Sequence, residues 1–253
     1  MSKCWYIMFG CLTVMLAAGS VHASTAEEYF EMGNRHYQAA EFDRAVAMYD
    51  SVVAQGVESG PLYYNLGNAH YKNGDLGRAI LYYMKARRLD PGNQDIVNNL
   101  EFAKQFTSVQ MEGVQLNPVS SMLESLLGGF RLTTLAWIAS GCFVLFVFLL
   151  ILRFGLGLSG TTIKTVGIAS LILVVLALSA TTYKYRHDYL TRRGVLLNDA
   201  TLVRSGPSLE MDVKFQGASG WVVEILSESG EYYNVLFENK RRGWVVKSDL
   251  AMI

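Results

Sequence analysis

The chain has 253 residues, of which 51 % are apolar, and its 22 basic and 22 acidic side chains balance to no net charge. This composition excludes a disordered chain, and it excludes nucleic acid as a partner because that needs a basic face. The apolar residues are concentrated in separate segments, which predicts several domains with different environments.

The first segment, residues 1–23, has the pattern of a secretory signal peptide. Lys3 precedes a long uncharged stretch, and the small residues of "SVHA" end at Ala23, where cleavage is predicted. An uncleaved membrane anchor is the alternative interpretation. Without this segment Cys142 is the one remaining cysteine, so neither a disulfide nor thiol chemistry is expected in the mature domains.

Two copies of one helical pattern follow. In residues 61–91 apolar and aromatic residues recur at helical spacing, and "NGD" at Asn73–Asp75 predicts a break between two helices. "EYFEMGNRHYQAAEFDRAVAMYD" (28–50) aligns with "LYYNLGNAHYKNGDLGRAILYYM" (62–84) after a shift of 34 residues. A period of this length indicates stacked helix pairs.

The second copy resembles the tetratricopeptide repeat through its small, aromatic and Pro positions. These are Tyr63, Leu66, Gly67, Tyr71, Ala79, Tyr83, Ala86 and Pro91. The first copy departs from the pattern at Val52 and Val57. Most of the tyrosines are therefore interpreted as core residues that pack helix on helix, not as a radical relay or a binding box.

The resemblance implies that the first helix of each pair lines a concave surface that binds a partner protein. The candidate partner-binding residues are Phe30, Asn34, Tyr37, Tyr64, Asn65, Asn68, Tyr71 and Lys72. The side-chain amides of Asn34, Asn65 and Asn68 are suited to hydrogen bonds with an extended peptide backbone. Phe30 stands where a clamp for a terminal carboxylate would need lysine, which argues against such a clamp. Residues 93–106 predict a further amphipathic helix that caps the array, so the repeat domain is assigned to 24–110.

A linker is predicted at 111–131, and two uncharged runs, 132–152 and 165–183, are each long enough to cross a membrane. Buried helices of a soluble domain are the alternative. The short connector 153–164 makes the runs a hairpin, so both flanking domains are expected on one side of the membrane.

The orientation of this hairpin rests on the signal, which predicts that both soluble domains face the periplasm and the connector faces the cytoplasm. The distribution of basic residues argues for the opposite orientation, because basic residues are enriched on the cytoplasmic side of membrane helices. The connector has Arg153 and Lys164, whereas the flank after the second run has four basic residues: Lys184, Arg186, Arg192 and Arg193.

From residue 190 to 253 short alternating runs separated by Gly, Asn and Ser predict strands, and their arrangement resembles the bacterial SH3-like barrel. Trp221, Tyr232 and Trp244 are candidates for a ligand groove in this domain, and core packing is the other interpretation. The predicted fold class is therefore α+β multidomain: helical repeats, a transmembrane hairpin and a small all-β barrel.

Sequence motifs for catalysis are lacking. His36 and His70 occupy the same repeat position, and no metal-ligand spacing, phosphate loop or nucleophile motif is found. "GLGLSG" (155–160) joins the two apolar runs and does not follow a strand. A protein that is not an enzyme is predicted, with no cofactor, metal or small-molecule substrate.

The order of these segments, together with residues 62–104, resembles the BatE-type proteins of the Bat aerotolerance system. That resemblance implies a scaffold in the bacterial inner membrane that takes part in tolerance of oxygen or envelope stress. It further implies membrane proteins with von Willebrand factor A domains and a MoxR-type ATPase as partners. The alternative is an envelope protein whose SH3-like domain binds peptidoglycan or cell-wall peptides.

Overall fold

The computed structural model describes residues 25–108, 118–157 and 160–253. The predicted signal peptide lies outside the described residues. In the described part of the chain, helices extend from residue 25 to residue 190, and the strands follow between residues 193 and 252.

Five helices form the repeat domain. They are α1 (25–38), α2 (Phe42–Ala54), α3 (Gly60–Lys72), α4 (Leu76–Leu89) and α5 (Gln94–Ser108). The predicted break is confirmed, because Gly74 adopts a φ of +79° after α3 and the Asp75 side chain accepts a hydrogen bond from Arg78 N at 3.0 Å. The α3 helix is capped in the same way by Ser59, whose hydroxyl accepts from Leu62 N at 3.3 Å.

A glycine and a tyrosine hold each helix pair together, one pair per repeat. The Tyr83 ring lies against Gly67, and the Tyr49 ring lies against Gly33 in the equivalent position. Both rings are almost fully buried, at 2 % and 1 % exposure. The interpretation of these tyrosines as core residues is confirmed for Tyr49, Tyr63 and Tyr83.

Three more helices follow the repeats. The predicted linker contains α6 (Pro118–Leu127), which the sequence pattern did not indicate. The long helices are α7 (Leu132–Leu150), continued by a π-helical turn (Ile151–Gly155), and α8 (Thr161–Tyr185), continued by a second one (Arg186–Leu190). They pack against each other and are long and apolar enough to cross a membrane.

Seven strands form one antiparallel sheet with the order β3-β2-β6-β5-β4-β1-β7. They are β1 (Arg193–Leu196), β2 (Thr201–Arg204), β3 (Val213–Gly217), β4 (Val222–Ser229), β5 (Tyr232–Phe237), β6 (Arg242–Val246) and β7 (Leu250–Met252). The α+β multidomain class is confirmed. One detail is corrected: the sheet is open, with β3 and β7 at its edges, instead of closed into a barrel.

The sheet packs directly on the repeats. Ile80 and Leu81 of α4 share a buried cluster with Val195 of β1 and with Leu100 of α5. Gly77 makes the close approach possible, because a Cβ there would lie 2.6 Å from Ser219 Oγ. The α5 helix was predicted to cap the array, and in the structure the sheet covers the outer face of α4 as well. The repeats and the sheet therefore share part of one core.

Candidate functional site: the groove of the helical repeats

The eight predicted partner-binding residues lie on one face of α1 and α3. The opposite face of α3 points into the core, where Leu66 is fully buried. The predicted residues Tyr64, Asn65, Asn68 and Tyr71 are half-buried. Lys72 is exposed, and Phe30, Asn34 and Tyr37 on α1 are half-buried. Of the eight residues, Tyr37, Asn68, Tyr71 and Lys72 line one groove. The other four, Phe30, Asn34, Tyr64 and Asn65, are not among the residues that line it.

Four asparagines and two tyrosines form a hydrogen-bonded row along this groove, here called the amide ladder. In the first repeat Asn34 Oδ1 accepts from Tyr49 OH at 2.9 Å and from Asn65 Nδ2 at 3.0 Å. In the second repeat Asn68 Oδ1 accepts from Tyr83 OH at 2.7 Å and from Asn99 Nδ2 at 3.0 Å. The two sets are related by the 34-residue period, so the ladder is a product of the repeat itself.

Both tyrosines of the ladder are neutral phenols. Burial raises the pKa of Tyr49 to about 12, and burial also raises the pKa of Tyr83. Each phenol therefore remains a hydrogen-bond donor at physiological pH. Because the oxygens of Asn34 and Asn68 accept hydrogen bonds from the buried Tyr49 and Tyr83, these asparagines serve the fold as well as the groove.

The ladder still offers polar atoms to a ligand. Among the described residues, Asn68 Nδ2 and Asn99 Oδ1 have no hydrogen-bond partner. One is a donor and the other an acceptor, which matches the alternating carbonyl and amide groups of an extended peptide.

Aromatic side chains line the groove next to these amides. Its volume is about 240 Å³, and its lining comprises Tyr37, Asn68, Tyr71, Lys72, Tyr83, Asn99 and Phe102. The Phe102 ring lies 6.0 Å from that of Tyr71 and 5.3 Å from that of Phe106. Phe102 and Phe106 are each 50 % exposed, so an apolar edge continues the groove along α5.

Sequence reasoning missed the contribution of α5 to this groove. A signal for it was present, because Asn99 follows Asn65 by one 34-residue period. Phe102, by contrast, stands at the position of Asn68 in the previous repeat, so the repeat pattern does not predict an aromatic residue there.

Phe30 packs into the repeat core, with its ring centroid 5.8 Å from that of Tyr49. It supplies no charge at the position where a carboxylate clamp would need one. Aromatic rings surround the amides of the groove, and among the described residues Lys72 is the one charged residue in its lining.

The histidines of the repeats have structural surroundings. His70 stacks on Tyr82 with ring centroids 5.3 Å apart, and burial lowers the pKa of its imidazole, although Asp75 and Asp50 oppose that shift. His36 is more exposed and lies 2.6 Å from Glu41. Within the described ranges no group of three or more His, Cys, Asp or Glu side chains is arranged to hold a metal ion.

The three aromatic residues proposed for the SH3-like groove do not form a common surface. Trp221 lies in the core cluster of the sheet at 7 % exposure, whereas Tyr232, at 9 % exposure, is buried on the opposite face, which it shares with Trp244. The Trp221 ring packs edge-on to Phe237 at 5.9 Å, and Trp244 is half-buried on β6. For Trp221 the structure favours the packing interpretation, since a small sheet needs large side chains to fill its core, and Tyr232 is buried as well.

The 34-residue period, the helix pairs and the polar concave face define a helical-repeat protein. Residues 30–94 match the tetratricopeptide repeat family. No curated protein matches the chain. The chain therefore contains tetratricopeptide repeats, a family that is typically non-catalytic and suggests a scaffold for protein–protein interaction.

Proposed function

We propose that this protein is a non-enzymatic, membrane-anchored scaffold whose repeat groove binds an extended segment of a partner protein. The observation that carries the proposal is the groove itself, where amide atoms of Asn68 and Asn99 that have no partner among the described residues lie beside Tyr71 and Phe102. Amides suit the backbone of a bound segment, and aromatic rings suit its side chains. The resemblance to BatE-type proteins supports a role in the Bat aerotolerance or envelope-stress system.

The same resemblance suggests the partners, namely membrane proteins with von Willebrand factor A domains and a MoxR-type ATPase system. Partners of the first kind lie in the same membrane, so a hairpin formed by α7 and α8 would bring the groove to them. The hairpin is supported by the length and the apolar surface of both helices, of which Trp137 at 76 % exposure is an example. The alternative function, cell-wall binding by the sheet, loses support because Trp221 and Tyr232 are buried.

Truncation of the groove aromatics is expected to weaken partner binding at least tenfold. Tyr71→Ala and Phe102→Ala remove two aromatic rings of the groove lining that can anchor a partner, and such anchors carry about 2 kcal/mol or more each. Asn68 is left unchanged in this test because its amide also holds Tyr83. The measurement is a fluorescence titration of the purified full chain with a purified von Willebrand factor A domain membrane protein of the same organism.

The matched control is Tyr29→Ala, which truncates an aromatic side chain that is 37 % exposed outside the groove lining. Equal affinities for the wild-type chain and both groove variants would exclude the groove as the binding site. Failure of the wild-type chain to bind would instead exclude this class of partner.

Orientation in the membrane is a second test of the proposed function. In a cysteine-free background, Ala47→Cys on α2 and Glu238→Cys after β5 are expected to react with a membrane-impermeant maleimide in intact cells. Thr162→Cys, at the start of α8, is expected to react only after permeabilisation. All three positions are exposed, so access to reagent depends on the side of the membrane and not on burial.

The reverse labelling pattern would mean that the basic flank after α8 decides the orientation and that the partners are cytoplasmic. Labelling of Ala47→Cys and Glu238→Cys from opposite sides would contradict the hairpin. That outcome would also conflict with the contact between α4 and β1.

A further inference from the structure

A small pocket with several charged side chains in its lining lies where the repeats, α6, the end of α8 and the sheet meet. We call it the junction pocket. Its volume is about 70 Å³, which is room for a group of a few heavy atoms. Four basic side chains line it: Arg87, Arg88, Lys184 and Arg193. Two acidic side chains, Glu124 and Asp188, oppose them. The side chains around the pocket are therefore predominantly positive.

Two of the four cations are neutralised by these carboxylates. Arg87 lies 3.0 Å from Glu124, and Lys184 lies 3.1 Å from Asp188. Lys184 also donates to the backbone oxygen of Gly128 at 3.3 Å. In the described part of the chain Arg88 and Arg193 form no ion pair with a side-chain carboxylate, although Asp188 and Glu124 still act on Arg193 electrostatically.

Within the described ranges, both remaining guanidinium groups donate to backbone oxygens. Arg193 donates to the carbonyl of His187 at 3.2 Å, and Arg88 donates to the backbone oxygen of Ile253 at 3.1 Å. Desolvation lowers the pKa of Arg193, although Asp188 and Glu124 oppose that shift. A bound anion would compensate that desolvation, and paired guanidinium donors are suited to the oxygens of a phosphate.

The pocket lies at the ends of the two apolar helices. Gly128 comes shortly before the start of α7, and Tyr183 belongs to the last turn of α8. Beside it the rings of Tyr185 and Tyr189 stack 5.8 Å apart, and both are about half exposed. Tyrosines of this kind lie at the level of lipid headgroups when a helix crosses a membrane.

We propose that the junction pocket binds the phosphate of an anionic membrane lipid, with Arg193 and Arg88 as its donors. The inference rests on the membrane hairpin of the proposed function and goes beyond it by adding a ligand site away from the groove. Basic pockets next to membrane helices recognise lipid phosphates through the same charge and hydrogen bonding. The bound lipid would link the repeats, the hairpin and the sheet at the membrane surface.

The test is native mass spectrometry of the full chain in neutral detergent, titrated with phosphatidylglycerol or phosphatidylcholine. The wild-type chain is expected to prefer phosphatidylglycerol. Arg193→Gln is expected to weaken binding of this lipid about tenfold, as the loss of a charged hydrogen bond does. The matched control is Arg192→Gln, because the neighbouring Arg192 is exposed, faces Glu228 at 3.8 Å and does not line the pocket.

Equal affinity of the wild-type chain for both lipids would overturn the proposal whatever the variants do. Inorganic phosphate that competes as well as the lipid would reassign the pocket to a soluble phosphate compound. Arg88→Gln provides a second variant in case Arg193→Gln fails to fold. Flotation of the chain with phosphatidylcholine vesicles tests the hairpin separately, so flotation without lipid preference would reject the lipid site alone.

Discussion

Replacement of Gly67 by alanine is expected to destabilise the second repeat by about 2 kcal/mol. The new Cβ would lie 2.5 Å from Tyr83 Cδ1 and 2.6 Å from Tyr83 Cε1, so the ring must move. Tyr83 cannot move without disturbing the amide ladder, because its hydroxyl is bonded to Asn68. Overpacking of this kind costs about 1–3 kcal/mol, and the better helix propensity of alanine offsets at most about 1 kcal/mol of it.

The measurement is hydrogen exchange of the backbone amides of α3 and α4, followed by mass spectrometry on the full chain in detergent. Gly92→Ala is the matched control, because its Cβ would meet only Gly129 O at an ordinary contact distance of 3.5 Å. The control is expected to change stability by less than about 0.5 kcal/mol. Amide exchange rates in Gly67→Ala equal to those of the wild-type chain would contradict the close contact between Gly67 and the Tyr83 ring.

Replacement of Gly220 by alanine is expected to loosen the contact between the sheet and the repeats. Gly220 has a φ of +84°, and a Cβ there would lie 2.7 Å from Ile80 Cδ1 and 2.7 Å from Thr107 Cγ2. The substitution combines backbone strain of about 1–2 kcal/mol with overpacking of about 1–3 kcal/mol. Faster amide exchange is therefore expected in α4 and α5 as well as in the sheet.

Gly230→Ala separates these two contributions. Gly230 also has a positive φ, of +53°, but a Cβ there would meet nothing within 4 Å. This control should carry the backbone strain alone, with effects confined to the turn between β4 and β5. If both variants change exchange equally, and only in the sheet, the sheet and the repeats do not share a core.

Much of the groove could be predicted because the repeat encodes it locally. Gly67 and Tyr83 have the same spacing as Gly33 and Tyr49, and residues of one helix that share a face must line the same surface. The three aromatic residues of the sheet were harder to assign. Trp221 directly precedes β4 and Trp244 lies on β6, and only the packing of the sheet makes the first a core residue and the second a half-buried one.

The sequence by itself determined the helix pairs, the two long apolar helices and the strand-rich final segment. These features depend on periodicity and on contacts between residues close in the chain, which a linear pattern records. Only the tertiary structure decided that β1 packs on α4, that the sheet stays open and that four basic residues meet in the junction pocket. Arg88 and Ile253 are 165 positions apart, and no local pattern indicates a partner at that distance. The apolar face of α4 would look the same in sequence whether it packed on another repeat or on a sheet.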